Sequence, residues 1–320
     1  MSTIKKTQSK STLHARNKNK ERYDLRSLIN VEPKLNECLI LNKNGEETID
    51  FANPNSVLFL NRAILNYYYG ITKWDFPSEN LCPPIPGRAE YIHNIADLLS
   101  ESNYGKIPVG EHVKCLDIGV GANCIYPIIG ISEYKWHFTG ADVETKSIES
   151  SENIIRSNEA LHEKAKFRLQ KNTNNIFRGV IKKPEKFDLT ICNPPFHSSI
   201  TEAVKGTQRK NKNLTGKKIT ETNLKLSGVN KELVCEGGEI QFIKQMIKES
   251  LNFSTNCFWF STLVSKQSNL KGIYKLLERM KPTAVKIIPI GTGNKSTRIV
   301  AWTFLTNEEQ KEWRDSRWKK

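Results

Sequence analysis

The sequence predicts an α/β fold with a largely parallel sheet of seven strands, an antiparallel edge, and a small helical region ahead of it. Three observations carry this expectation. Past about residue 106, short apolar runs alternate with amphipathic stretches, the rhythm of parallel strands joined by crossover helices. The first run ends in a glycine turn and the second in an acid. The fourth stops abruptly at Asn193-Pro194-Pro195, where two fixed φ angles end a strand.

Taken in order, residues 113–118 read as the first strand, 136–140 lead into a second at 141–143, and 146–158 suit a helix. Strands follow at 167–170, 187–192 and 257–264, with helices at 240–252 and 273–280. The last two strands, 284–290 and 299–305, are joined by a short glycine-containing segment and are expected to pair as a hairpin. Ahead of the sheet, 56–69 carries apolar residues on a helical period closed by Gly70, and 88–99 reads as a second amphipathic helix. A proline-dense loop at 81–87 separates them. The expected division is a flexible basic arm over 1–22, a helical accessory region over 23–104 and the α/β domain over 105–310. A polar, lysine-rich loop over 198–231 interrupts that domain directly after the Asn-Pro-Pro turn, and long loops at such places usually carry function.

Composition narrows the partners. The 320 residues hold 49 basic and 34 acidic side chains, a net charge of +15 that attracts polyanions, nucleic acid above all. With 38% hydrophobic residues the chain can pack a core, yet no apolar run approaches the roughly 18 residues of a membrane span. Residues 1–20 have no apolar core of a secretory signal, so a cytoplasmic protein is expected, with no membrane partner. Seven cysteines, odd in number and without a C-x-x-C pair, argue against disulfides and a zinc site; no metal is expected. Cys115, Cys124, Cys192 and Cys257 read as small buried hydrophobes. Nothing indicates an obligate oligomer, and a monomer is expected.

Asp117-Ile118-Gly119-Val120-Gly121 is the glycine turn. Glycines let backbone approach a ligand where a Cβ would clash. Asp142, about 25 residues on at the end of the second strand, is placed to accept two ribose hydroxyls. A dinucleotide turn would need a third glycine where Cys124 stands and would face a pyrophosphate. Here an acid precedes the glycines, which suits the ammonium of S-adenosylmethionine.

Asn193-Pro194-Pro195-Phe196 lies at the carboxyl end of a strand, where open α/β sheets bind ligands. An adenine N6 amine is a poor nucleophile because its lone pair is delocalised into the ring. The Asn193 side-chain oxygen and the Pro194 carbonyl can each accept one N6–H and favour the pyramidal nitrogen, while Phe196 stacks on the base. No conventional general base is required; water or His197 can take the proton after transfer. Enzymes acting on adenine in DNA or RNA, or on a protein glutamine amide, share this arrangement, since all present a planar NH2.

The segments 116–127 (LDIGVGANCIYP) and 192–197 (CNPPFH) resemble the bacterial ribosomal large-subunit RNA adenine-N6 methyltransferases of the RlmF type. So do Tyr23-Asp24-Leu25, Asp50–Pro54, the stretch from Leu81 to Arg88, Cys235-Glu236-Gly237-Gly238-Glu239 and Leu263-Val264-Ser265. The resemblance spans about residues 14–305 and extends, more distantly, to the eukaryotic spliceosomal small nuclear RNA adenine methyltransferase. It implies a class I, Rossmann-like methyltransferase fold, S-adenosylmethionine as methyl donor, and one adenine of 23S ribosomal RNA, naked or in a large-subunit assembly particle, as target. It also implies that Asp117, Gly119, Gly121 and Asp142 hold the cofactor and that Asn193, Pro194, Pro195 and Phe196 hold the base. Arg88 matches an arginine at the cofactor carboxylate or the site entrance. Where the family commonly has an acid near the cofactor adenine, this chain has Asn172, still able to hydrogen-bond N6. In this reading Lys205, Arg209, Lys210, Lys212, Lys217 and Lys218 contact RNA phosphates, giving a strong salt dependence.

Overall fold

Seven strands form one sheet in the order β5-β4-β3-β6-β7-β9-β8 in the computed structural model, which describes residues 13–196, 199, 234–290 and 297–319. The strands are β3 (Lys114–Ile118), β4 (His137–Asp142), β5 (Ala165–Leu169), β6 (Phe187–Cys192), β7 (Cys257–Val264), β8 (Ala284–Ile290) and β9 (Thr297–Thr303). A separate antiparallel pair, β1 (Leu39–Leu41) and β2 (Glu47–Ile49), precedes them. Strands β3 to β7 are parallel, while β9 lies antiparallel between β7 and β8. The expected hairpin at the edge is therefore present, with its second strand the inner one. Strands β6 and β7 are buried along their whole length, which explains their continuous apolar and β-branched runs.

Alternation along the strands splits the core in two. Cys115, Leu189, Ile191, Ile299 and Ala301 face a layer of α2 (Pro54–Tyr69), α3 (Ile85–Glu101), α4 (Ile125–Tyr134) and α5 (Thr145–Ser157). Leu116, Cys192, Phe260, Val300 and Trp302 face α6 (Gly238–Ser250) and α7 (Leu270–Met280). The four cysteines expected inside are all buried. Gly130 of α4 lets the helix lie on the sheet, since a Cβ there would meet the Phe138 ring at 2.5 Å.

Residues 23–104 share a continuous core with the sheet, through Leu28, Ile64, Tyr91 and Ile92. Two features depart from the sequence expectation. Residues 13–22, expected within a free basic arm, lie against α3 and α4, held by polar contacts that an apolar pattern does not reveal. The Asn17 amide is wholly buried and donates to Glu90 Oε1 (2.8 Å), the Arg16 Nε donates to Tyr134 (2.9 Å), and His14 and Arg16 both reach Asp97. Finally, the domain runs past residue 310. Helix α8 (Asn307–Arg317), started by a capping box between Thr306 and Glu309, brings Trp313, Arg317 and Trp318 onto the buried Asp188 at the foot of β6. Among the described residues, no helix is long and apolar enough to cross a membrane, and no three His, Cys, Asp or Glu side chains lie together as a metal site would need.

Candidate active site

The glycine turn crosses from β3 to α4 with Gly119 at φ +74° and Gly121 at φ +66°, the left-handed region that glycine enters without cost. Two N–H groups, of Gly119 and Val120, donate to the Ala141 carbonyl at 2.8 and 3.0 Å and fasten the turn to β4. Ser150 and Ser151 of α5 donate to the carbonyls of Ala122 and Gly121, both at 2.8 Å. Trp74 holds the far side, donating from its indole to the Asn123 carbonyl at 2.8 Å.

Three acidic or amide groups converge here. Asp142 accepts the Gly121 N–H (2.9 Å) and the Glu144 N–H (3.0 Å) at the tip of β4, and burial nonetheless pushes its carboxyl above the usual range. Asp117 is completely buried, and neither carboxylate oxygen has a hydrogen-bond partner among the described residues. Burial raises its carboxyl well above the ordinary range, the neighbouring Asp142 adds to the rise, and the charge of Arg88 opposes it. The side-chain oxygen of Asn193, at the carboxyl end of β6, is likewise buried and unpartnered among the described residues. Buried polar atoms are nearly always paired in folded proteins, so two such groups at adjacent strand ends mark a place built for a ligand. An ammonium would satisfy Asp117 and an amine hydrogen Asn193, so the residues present fit an amino-acid-bearing nucleoside and a planar NH2 group.

The surroundings come from the amino-terminal region. Arg88 of α3 donates to the Tyr126 hydroxyl at 2.9 Å and lies over its ring, 5.5 Å from the centroid. One turn on, Tyr91 packs edge-on against Tyr126 and accepts the Cys192 N–H at 3.3 Å. Ser261 of β7 donates to the Thr190 carbonyl (2.5 Å), so the Tyr91 O–H is left to donate to Ser261 (3.0 Å). The end of β6 is therefore fixed from α3 and β7 at once. Val143 and Leu169, 48% and 37% exposed, add apolar surface at the tips of β4 and β5.

The structure thus brings Arg88, Asp117, Gly119, Gly121, Asp142 and Asn193 to one end of the sheet, with Pro194 buried and Pro195 and Phe196 half-buried beside them. Asn172 is exposed in the loop after β5, and its side-chain oxygen accepts the Asn174 N–H at 3.0 Å. His197 and the six basic residues Lys205, Arg209, Lys210, Lys212, Lys217 and Lys218 lie outside the described residues. Sequence reasoning missed Tyr91 and Tyr126. Tyr91 stands three residues after Arg88, on the same helix face, and that spacing was the one signal that could have found it. A cavity of about 180 Å³ at the opposite end of the sheet, lined by Lys114, His137 and Lys186 among others, contains none of these groups.

An open, mostly parallel sheet with an acid-led glycine turn, a second acid one strand over and an Asn-Pro-Pro turn beside them defines a class I methyltransferase. A family model described as RNA methyltransferase matches residues 7–306, and the chain belongs to that family. The ribosomal RNA large subunit methyltransferase F of Cytophaga hutchinsonii is 53% identical over 311 residues, 97% of each chain. The human METTL16 catalytic domain in complex with MAT2A 3'UTR hairpin 1 superposes with a TM-score of 0.76 at 26% identity, covering 92% of this chain and 96% of that one. The N-terminal domain of human METTL16 in complex with SAH gives a TM-score of 0.71 at 25% identity, covering 92% and 99%.

Proposed function

We propose that this protein methylates N6 of one specific adenine in 23S ribosomal RNA, as free RNA or within a large-subunit assembly particle. The observation that carries the reading is the buried oxygen of Asn193, without a hydrogen-bond partner among the described residues, in a turn braced by two prolines. The protein is an RNA methyltransferase, and its methyl donor is S-adenosylmethionine, which supplies an electrophilic methyl on a sulfonium sulfur. Asp117 takes the donor's ammonium, Asp142 its ribose hydroxyls, Arg88 its carboxylate or the site entrance, and Asn172 its adenine. The Asn193 oxygen and the Pro194 carbonyl each accept one N6–H, drawing electron density onto the nitrogen. Phe196 stacks on the target base and holds N6 in line for attack. The N6–carbon bond forms as the sulfur–carbon bond breaks, and the proton made acidic by transfer leaves to water or His197. The basic 198–231 segment holds RNA phosphates. The +15 charge and the ribosomal RNA relatives favour RNA over duplex DNA or a protein glutamine.

The test is transfer of labelled methyl to large-subunit RNA and particles from cells lacking the enzyme, with duplex DNA and a release-factor peptide in parallel. We expect N6-methyladenosine in the RNA alone, and a loss of at least ~100-fold with Asn193→Ala, the cost of removing one such hydrogen-bonding element. Label recovered only in DNA or in glutamine overturns the substrate.

A further inference from the structure

Beside the catalytic turn, one motif has no part in the chemistry above: Cys235-Glu236-Gly237-Gly238-Glu239. Gly237 and Gly238 both adopt left-handed backbone, at φ +75° and +65°. A Cβ on Gly237 would also meet Gln241 at 2.7 Å, so side chains are excluded there by torsion and by space. The double glycine swings the chain into α6 and delivers Glu239 to a buried position, 1% exposed.

The Glu239 carboxylate is fully engaged there. One oxygen accepts the Ser265 N–H (2.7 Å) and the Ser265 hydroxyl (2.5 Å). The other accepts the Lys266 N–H (3.2 Å) and the Asn269 side-chain amide (2.6 Å). All four donors belong to the loop that leaves the carboxyl end of β7. Strands β6 and β7 are parallel, with Phe187 paired to Cys257 and Leu189 to Trp259. Carried forward, that register sets the Asn193–Phe196 turn alongside the end of β7 and the loop after it. The cofactor residues Gly119, Gly121 and Asp142 lie on the other side of β6, at β3 and β4.

We infer that Glu239 is a positioning residue for methyl transfer: it locks the Ser265–Lys266–Asn269 loop as one wall of the target-base pocket. This rests on the RNA-adenine reading of the site. A neutral amide at this position would keep one acceptor and turn an NH2 toward the Lys266 N–H or the Asn269 amide, donor against donor. The loop would then shift, and a displacement of about 1 Å near reacting groups costs about 100-fold in rate.

The full chain carrying Glu239→Gln is compared with wild type for RNA kcat/KM, S-adenosylmethionine Kd by calorimetry, and thermal midpoint. We expect kcat/KM to fall about 10- to 100-fold while the donor Kd stays within about twofold, because only the β6–β7 side of the site moves. Asn269→Ala removes one of the four donors and should give a smaller loss with the same split; it carries the test should Glu239→Gln not fold. Wild-type kcat/KM in both variants overturns the inference, as does donor affinity falling in step with kcat/KM, the mark of a general structural defect. A wild-type enzyme inert on RNA overturns the RNA reading and the inference together, whereas an active wild type with unaffected variants overturns the inference alone.

Discussion

Asp117 is a carboxylate in a place that penalises charge. With its folded pKa raised by burial, the folded state binds a proton more tightly than the unfolded chain. Its contribution to stability is therefore complete below the ordinary carboxylate pKa and is lost as pH rises toward the folded value. Asp117→Asn should flatten that decline, making the donor-free protein more stable near pH 8 in chemical denaturation. The same variant should weaken S-adenosylmethionine binding about 10- to 100-fold, the worth of a charge-assisted bond. Site and stability pull in opposite directions at this residue. Asp117, Asp142 and Asn193 were legible in the sequence because each stands at a strand end in a short motif whose spacing fixes where it points. Tyr91 and Tyr126 were not. Both lie on buried helix faces, and apart from the three-residue spacing of Tyr91 from Arg88 the local pattern does not distinguish a tyrosine that frames a site from one that fills a core. The side-chain oxygen of Asn172, assigned by position alone, caps its own loop.

At the scale of elements, the sheet was readable and its fastenings were not. Strands with continuous apolar runs and glycine or proline ends declare themselves, whereas α4 (IYPIIGISEY) is buried nearly all round and shows no amphipathic period. The segment before α1 (Leu25–Val31) and helix α8 bind through polar groups whose partners are far away in the chain. Two predictions belong here. Asp188 accepts from Trp313, Trp318, Arg317 and the Lys114 N–H with no exposed surface of its own. Truncation after Thr306 takes away most of those donors together with the buried Trp313 and Trp318, and should cost at least about 3–5 kcal/mol in urea unfolding. His93 is buried between His14 and Tyr134, and burial first, then nearby positive groups, lower its pKa to about 3. The unfolded chain takes up that proton from about pH 6.5, so this contribution is whole above 6.5 and declines as pH falls toward 3. At pH 5 the loss is on the order of 2 kcal/mol, and His93→Gln should abolish most of the difference between denaturation midpoints at pH 7 and pH 5.

At the scale of the molecule, charge and rigidity divide the work. Replacing Lys205, Arg209, Lys210, Lys212, Lys217 and Lys218 with glutamine should reduce the slope of log affinity against log salt by about 0.7 for each phosphate left without its cation, in filter binding to large-subunit RNA. Donor affinity should not change. No spacing in that segment says which lysine meets which phosphate, so its length and charge are legible and its geometry is not. The strand that carries the turn is gripped at both ends, at its foot by Asp188 and at its tip by Tyr91 and Ser261. Its amides should be among the slowest to exchange with deuterated solvent. On the proposed reading, a support that does not yield leaves the yielding to the RNA: an adenine held by Asn193 has to unstack and swing out, at a few kcal/mol. Choice among adenines should then follow local RNA softness, so that a nucleotide in a strained loop or an unfinished fold is reached first while an identical one in a stable helix is passed over.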